Sequence, residues 1–314
     1  MLEGKPNDQK AENAALRWVY LLQVLFFLTG LFGLDAPFLS AHNERQNQTY
    51  DVARNIFQVG WKGILTPTAS FSLRGYPEQP FTVVRLEVPF HGLLGWPLAQ
   101  VTTHERAVVR LISLAFSLIS IRLIYALLRR WTPPAVALVG TAIWSDSPLL
   151  LQFGQVPMPD ILCTTGMLAS LVLALRGRCG ASSWSFLFAI LAKATVVFFG
   201  LPILVACLLA KNCRSFREVV LRSMSWGAVP LIGLGVWLGL GLFGPATPWN
   251  LFQVISEKSA APNSFRFFCS QGLICLFPCG LGALGLLGLA AAPWGRRLDI
   301  HFWLRRAILV SCAL

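Results

Sequence analysis

The sequence predicts an all-α fold, a polytopic bundle of transmembrane helices. Of its 314 residues, 55% are apolar and only 13% are charged, which is about half the charged fraction of a soluble domain. Apolar runs close to the roughly 20 residues that cross a bilayer recur along the chain, and the mean hydropathy is +0.62. These observations exclude a water-soluble domain, a disordered chain and a coiled coil.

Seven apolar runs are predicted to span the membrane, and an eighth begins near Phe302. In chain order the seven are 18–39, 107–128, 133–151, 161–175, 184–210, 223–244 and 267–293. Lys and Arg flank alternate ends of the early runs, as the positive-inside rule requires. We therefore expect residues 1–16 to form a cytoplasmic tail and residues 17–314 the transmembrane domain. The net charge of +12 is explained by this pattern, so no nucleic-acid partner is predicted.

The run 184–210 fits the charge pattern only if it is broken. A single crossing would place the basic residues of 211–222 on the outer side, against the positive-inside rule. Two shorter legs that turn near Lys193 keep them inside, and the turn explains a lysine within an apolar run. We predict this hairpin, with Lys193 near the outer face.

The largest segment outside the membrane is expected at about 40–105, between the first two spans. Residues 52–64 place apolar side chains on one helical face, which predicts an amphipathic helix lying on the membrane. Proline and glycine within 88–100 favour a short re-entrant or interfacial segment over a span. Long polar loops held by a rigid scaffold commonly carry the chemistry of a protein.

Ionisable groups at membrane depth are costly and are candidates for function. They are Arg110, Arg122, Asp146, Asp160 and Lys193. Asp146 and Asp160 flank one short outer turn and share a compartment with Lys193, an arrangement that suits an anionic, lipid-linked substrate. Simpler alternatives stay open: snorkelling or pairing for the two arginines, a turn cap for Asp146 and a helix N-cap for Asp160.

Several segments follow one another in an order that resembles a known family. They are HNERQNQTYDVARNIF at 42–57, VRLEVPF at 84–90, ERAVVRLIS at 105–113, RR at 129–130, PMPD at 157–160, LAKAT at 191–195 and GLP at 200–202. Together they resemble the GT-C glycosyltransferases of bacteria that are related to the dolichyl-phosphate-mannose–protein mannosyltransferases. The resemblance is good over about 15–210 and generic beyond.

The resemblance implies an inverting membrane glycosyltransferase that uses a polyprenyl-phosphate-linked sugar. In such enzymes an acidic residue of the first external loop is the general base, and basic residues hold the lipid phosphate. The carboxylate candidates are Glu87, Asp51 and Glu44, the phosphate-binding candidates are Arg45, Arg54 and Lys193, and Asp160 and His42 are supporting residues.

The expected partners are the lipid-linked donor, an acceptor on a glycan, lipid or protein, and membrane lipid. A bacterial inner membrane is the expected location. No metal-ligand set and no required cofactor is predicted, with a divalent metal left open.

Two departures from the family pattern favour other functions. Gln48 stands where the related loop has an acidic residue, and an amide cannot act as a base. The chain also ends about 13 residues into an apolar run, so we expect it to be C-terminally truncated. A non-catalytic relative that binds lipid phosphate or a partner is therefore one alternative. A lipid transporter or flippase is another, although it predicts repeated halves that the sequence does not show.

Overall fold

The computed structural model describes residues 6–32, 34–35, 43–65, 87–210 and 216–243. The predicted runs at 267–293 and from Phe302, and the candidate His42, lie outside the described residues. Within them the regular structure is entirely helical. The α-helices are α1 (Pro6–Leu31), α2 (Asn43–Val59), α3 (Phe90–Ala99), α4 (Glu105–Leu128), α5 (Pro134–Ser145), α6 (Pro148–Phe153), α7 (Pro159–Leu175), α8 (Cys179–Ala192), α9 (Gly200–Ala210) and α10 (Phe216–Phe243). The 3₁₀ helices are Gly60–Leu65 and Ala194–Phe199.

Three helices of the described part are long and apolar enough to cross a bilayer: Gln9–Leu31 within α1, α4, and Arg217–Trp237 within α10. Large apolar side chains cover their outward surfaces, such as Val24 on α1 and Leu231 on α10. Water would not favour such a surface, whereas lipid does. The predicted class is confirmed: this is an all-α integral membrane protein.

The predicted span 133–151 is wrong as a single helix. The structure divides it into α5 and the six-residue α6, with Ser147 extended between them at ψ 136°. Pro148 disfavours a helical conformation at the residue before it, and the Ser147 hydroxyl accepts the N–H of Leu150 at 3.3 Å. Ser147 therefore caps α6, while Asp146 ends α5 with an exposed side chain.

The predicted break at Lys193 is confirmed. Helix α8 ends at Ala192, and Lys193 is extended, with φ −157° and ψ 109°. Near the end of α9 the Cys207 thiol lies 3.7 Å from the Ser182 hydroxyl, which belongs to the first turn of α8. The chain therefore goes out along α8 and returns along α9, as the hairpin prediction requires.

One end of the bundle gathers the arginines that the sequence places on the inner side. Arg129 forms an ion pair with Glu12 of α1, whose carboxylate also accepts the Tyr125 hydroxyl at 3.0 Å. Burial and the positive charge of Arg176, at the end of α7, lower the pKa of Arg130. We call the part formed by Glu12, Arg129, Arg130 and Arg176 the arginine end. The starts of α4 and α7 and the end of α8 lie away from it.

Helix α2 packs on α3 by its apolar face. Ile56 and Phe57 are buried, and a Cβ at Gly92 of α3 would lie 2.6 Å from Ile56 Cδ1. The predicted amphipathic helix therefore exists, but its bounds differ: it begins earlier, at Asn43, and ends at Val59, where the 3₁₀ helix Gly60–Leu65 follows. Part of the face expected to meet the membrane is covered by α3, while Trp61 stays 62% exposed.

Candidate functional site

The break in the α8–α9 hairpin holds an ion pair. Lys193 Nζ lies 2.6 Å from Asp160 Oδ1, and the two side chains are 32% and 37% exposed. Because Lys193 is extended, it projects from the hairpin turn instead of continuing the face of α8. The pair is therefore open to a ligand on one side and held by two helices on the other.

Asp160 occupies the first turn of α7, immediately after Pro159. The helix N-cap is Met158, which makes no side-chain capping bond, so the N-cap alternative for Asp160 is wrong. A carboxylate in the first turn is favoured by the helix dipole. The N-terminus of α7 and the ammonium of Lys193 together hold the Asp160 side chain at this place.

Glu87 is brought to the same place by the short segment that leads into α3. The Val88 N–H donates to the carbonyl of Leu191, two residues before Lys193, at 2.7 Å. The buried thiol of Cys163 lies within electrostatic reach of Asp160, Lys193 and Glu87. Three of the predicted site residues are thus brought together, with two carboxylates and one ammonium.

A second charged cluster joins α2 to the start of α4. The Tyr50 hydroxyl donates to Glu105 Oε2 at 3.1 Å, and Arg54 Nε lies 3.6 Å from the same oxygen. The guanidinium of Arg106 lies 6.0 Å from the centre of the Tyr50 ring. Burial and the negative charge of Glu105 raise the pKa of Tyr50. Arg54, predicted to bind phosphate, therefore has a carboxylate partner in this structure.

Of the other candidates on α2, the structure describes the side chain of Asp51 but not those of Glu44 and Arg45. Burial raises the pKa of Asp51, and the positive charge of Arg54 partly offsets this; a more basic carboxylate is suited to accept a proton. Glu44 and Arg45 lie in the first turn of α2, and Gln48 lies further along the same helix. The side chains of all three are outside the described part. Their roles stay predictions.

A buried polar chain supports the site, and sequence reasoning did not single it out. His91 of α3 contacts the Ser113 hydroxyl at 2.9 Å, and that hydroxyl donates to the Val156 carbonyl at 2.7 Å. Ser117 similarly donates to the Gly154 carbonyl at 2.7 Å. These bonds hold the turn that leads into Asp160. The signal was present as serines at 113, 117 and 120, which recur on one face of an apolar helix.

No group of three or more His, Cys, Asp or Glu side chains gathers as a metal site within the residues that the structure describes. Glu87 and Asp160 supply two carboxylates, which are hard oxygen donors of the kind that Mg²⁺ and Mn²⁺ accept. The site therefore offers part of a ligand set for a divalent cation.

The fold and this site define a polytopic helical membrane protein with a charged site beside a broken helix. Residues 87–237 match the family described as dolichyl-phosphate-mannose-protein mannosyltransferase. Over this segment the match confirms the resemblance to membrane glycosyltransferases of the GT-C type. The matched segment starts at Glu87 and contains Asp160 and Lys193, whereas α2 precedes it. No curated protein and no solved structure matches the chain.

Proposed function

We propose that this chain transfers a sugar from a polyprenyl-phosphate-linked donor to an acceptor hydroxyl on a glycan, lipid or protein. The observation that carries the proposal is the Lys193–Asp160 pair, with Nζ 2.6 Å from Oδ1, at a helix break beside Glu87. An ammonium among carboxylates offers both an anion-binding group and a proton acceptor. Those are the two groups that transfer from a lipid phosphate needs.

In the proposed step the acceptor oxygen attacks C1 of the sugar as the bond between C1 and the phosphate oxygen breaks. The lipid phosphate leaves with the electron pair, and the acceptor proton goes to the Glu87 carboxylate. Attack opposite the leaving group inverts C1. Lys193 stabilises the negative charge that grows on the phosphate, which lowers the barrier because that charge is larger in the transition state than in the donor.

Asp160 has a positioning role in this proposal. Its carboxylate holds the flexible Lys193 side chain, which would otherwise lose rotamer freedom when it binds the donor. Preorganisation of this kind favours catalysis because the ammonium is already placed when the phosphate arrives. Asp160 therefore acts through Lys193 and not on the reacting atoms.

The first prediction concerns the general base. Glu87→Gln removes the proton acceptor, so we expect kcat to fall about 100-fold or more, with little change in KM for the donor. Transfer from a synthetic polyprenyl-phosphate sugar is measured in proteoliposomes. Asp146→Asn is the matched control, because it removes an exposed carboxylate before α6, and it should keep wild-type activity.

Asp51→Asn tests the other carboxylate of the described part that suits a base. A larger loss in this variant than in Glu87→Gln would move the general base to α2, in keeping with the burial that raises the pKa of Asp51. Wild-type transfer by both variants would contradict the proposed chemistry. Donor binding without transfer by the unmodified chain would favour the non-catalytic alternative.

We further propose that transfer takes place on the outer face of a bacterial inner membrane and that no metal is required. Under this proposal the N-terminus is cytoplasmic and the Lys193 turn is external. Treatment with a chelator should leave the transfer rate unchanged. Loss of transfer that Mg²⁺ or Mn²⁺ restores would show that the carboxylates act through a cation instead.

A further inference from the structure

Arg122 lies within the membrane-spanning helix α4 and lacks an anionic partner among the described residues. Its guanidinium lies 5.2 Å from the centre of the Tyr20 ring and 5.8 Å from that of Tyr125. Nη1 is buried and has no hydrogen-bond partner. A charge in a membrane-spanning helix without an anionic partner is costly. Because Nη1 is enclosed by protein, an outside anion reaches the guanidinium through its other nitrogens, on the partly exposed side of Arg122.

Glu12, a carboxylate on the seam between α1 and α4, already has partners. Glu12 accepts the Tyr125 hydroxyl at 3.0 Å and forms an ion pair with Arg129. Arg129 and Arg122 therefore bring two positive charges to this seam, and Glu12 neutralises one. The arrangement leaves one positive charge at Arg122.

On the α1 side this seam is bordered by exposed side chains. Tyr20 is 56% exposed, and Trp18, Leu21 and Val24 around it on α1 are also exposed. Arg122 precedes the end of α4 by six residues, which is about 9 Å along the helix. An arginine at this depth extends toward the headgroup layer, and tryptophan and tyrosine concentrate at that layer.

We propose that Arg122, held between the rings of Tyr20 and Tyr125, binds the phosphate of an anionic phospholipid at the arginine end. The planar guanidinium suits a phosphate diester, to which it can donate two parallel hydrogen bonds. The basic residues of this end attract anionic lipid to the same leaflet. The site is separate from Glu87, Asp160 and Lys193 and does not depend on the proposed transfer reaction.

The test measures lipid binding to the full chain, purified in detergent and freed of lipid. Native mass spectrometry follows titration with phosphatidylglycerol or phosphatidylcholine. We expect phosphatidylglycerol to bind more tightly, and Arg122→Gln to weaken its binding about tenfold. Arg178→Gln removes an exposed positive charge between α7 and α8 and should change the affinity less than about twofold, since surface charges interact weakly.

Equal losses of phosphatidylglycerol affinity in Arg122→Gln and Arg178→Gln would overturn the site and indicate general charge attraction. An unchanged affinity in Arg122→Gln would also overturn the site. Millimolar inorganic phosphate should not displace the lipid; displacement would overturn the lipid headgroup as the source of the phosphate. Should Arg122→Gln fail to fold, Arg122→Lys decides. It keeps the charge and loses the planar fork, so we expect about threefold weaker binding, and an unchanged affinity would overturn the proposal.

Discussion

His91 lies in the core between α3 and α4, where only 2% of its surface is exposed. The Ser113 hydroxyl donates its hydrogen bond to the Val156 carbonyl. It therefore accepts the hydrogen bond from His91, whose Nε2 carries the hydrogen. Burial lowers the pKa of His91 to about 3. The ring is therefore neutral in the folded protein across the physiological range.

The neutral ring predicts a pH dependence of stability. The pKa of His91 falls from 6.5 in the unfolded chain to about 3 in the folded protein, so between these values the unfolded chain binds the extra proton. The full stability is present above about pH 6.5 and is lost as the pH falls, by about 1.4 kcal/mol per pH unit. Reversible unfolding in detergent between pH 7.5 and 5.5 measures this slope.

His91→Gln is the comparison that isolates this group, because its amide can donate to Ser113 but does not titrate. We expect its stability to change less with pH over that range. An identical slope in both proteins would show that other groups cause the acid sensitivity. A lower stability of His91→Gln at pH 7.5, without a change in the pH slope, would instead show that the substitution disturbs packing.

Glycine at one contact decides how α2 and α3 meet. A Cβ at Gly92 would lie 2.6 Å from Ile56 Cδ1 and 2.9 Å from Ala53 Cα, and the latter is backbone that cannot rotate away. We expect Gly92→Ala to cost about 1–3 kcal/mol and to loosen α2 locally. Hydrogen exchange of α2 measures the effect.

Gly180→Ala is the control for that substitution, because its Cβ would meet nothing within 4 Å near the start of α8. Alanine is also the better helix former, so Gly180→Ala should leave exchange in α2 unchanged. Equal exchange of α2 in the wild type and in Gly92→Ala would contradict the described packing.

The helix boundaries show which local signals can be read from a sequence. The break at Lys193 was predicted because charge placement required it, and the structure confirms it. The break before Pro148 was not predicted because the apolar run continues through it, although the residue before a proline avoids the helical region. Apolar length alone therefore overestimates a span where proline intervenes.

The described helices have two opposite ends, and labelling can test on which side of the membrane each end lies. The start of α1 and the ends of α4 and α7 meet at the arginine end, through Glu12, Arg129, Arg130 and Arg176. Single cysteines that replace Gln9 or Arg178, in a chain without its own cysteines, should therefore react with a reagent added to the same side of the membrane. Cysteines at Thr103 and Asp146 should react from the opposite side of the membrane.

In intact cells we expect an impermeant thiol reagent to label only the cysteines at 103 and 146, because the arginine end is proposed to be cytoplasmic. Labelling of only the cysteines at 9 and 178 would show that the orientation is the reverse of the proposed one, without contradicting the fold. Labelling of one member from each pair would contradict the helix arrangement itself.

The sequence by itself determined the membrane class, most of the helices and the identity of the charged residues. Composition and the length of apolar runs suffice for these, because lipid requires internally bonded helices and excludes unpaired charge. The GT-C resemblance also came from local segments, and the family match supports it over 87–237.

Only the tertiary structure decided which charges act together. Glu87, Asp160 and Lys193 are far apart in the chain, and the contact of Val88 with Leu191 and the hairpin turn bring them to one place. The carboxylate that faces Arg54 is likewise a packing outcome. Pairing of this kind depends on how helices dock, and docking is determined by side-chain shape across the whole bundle.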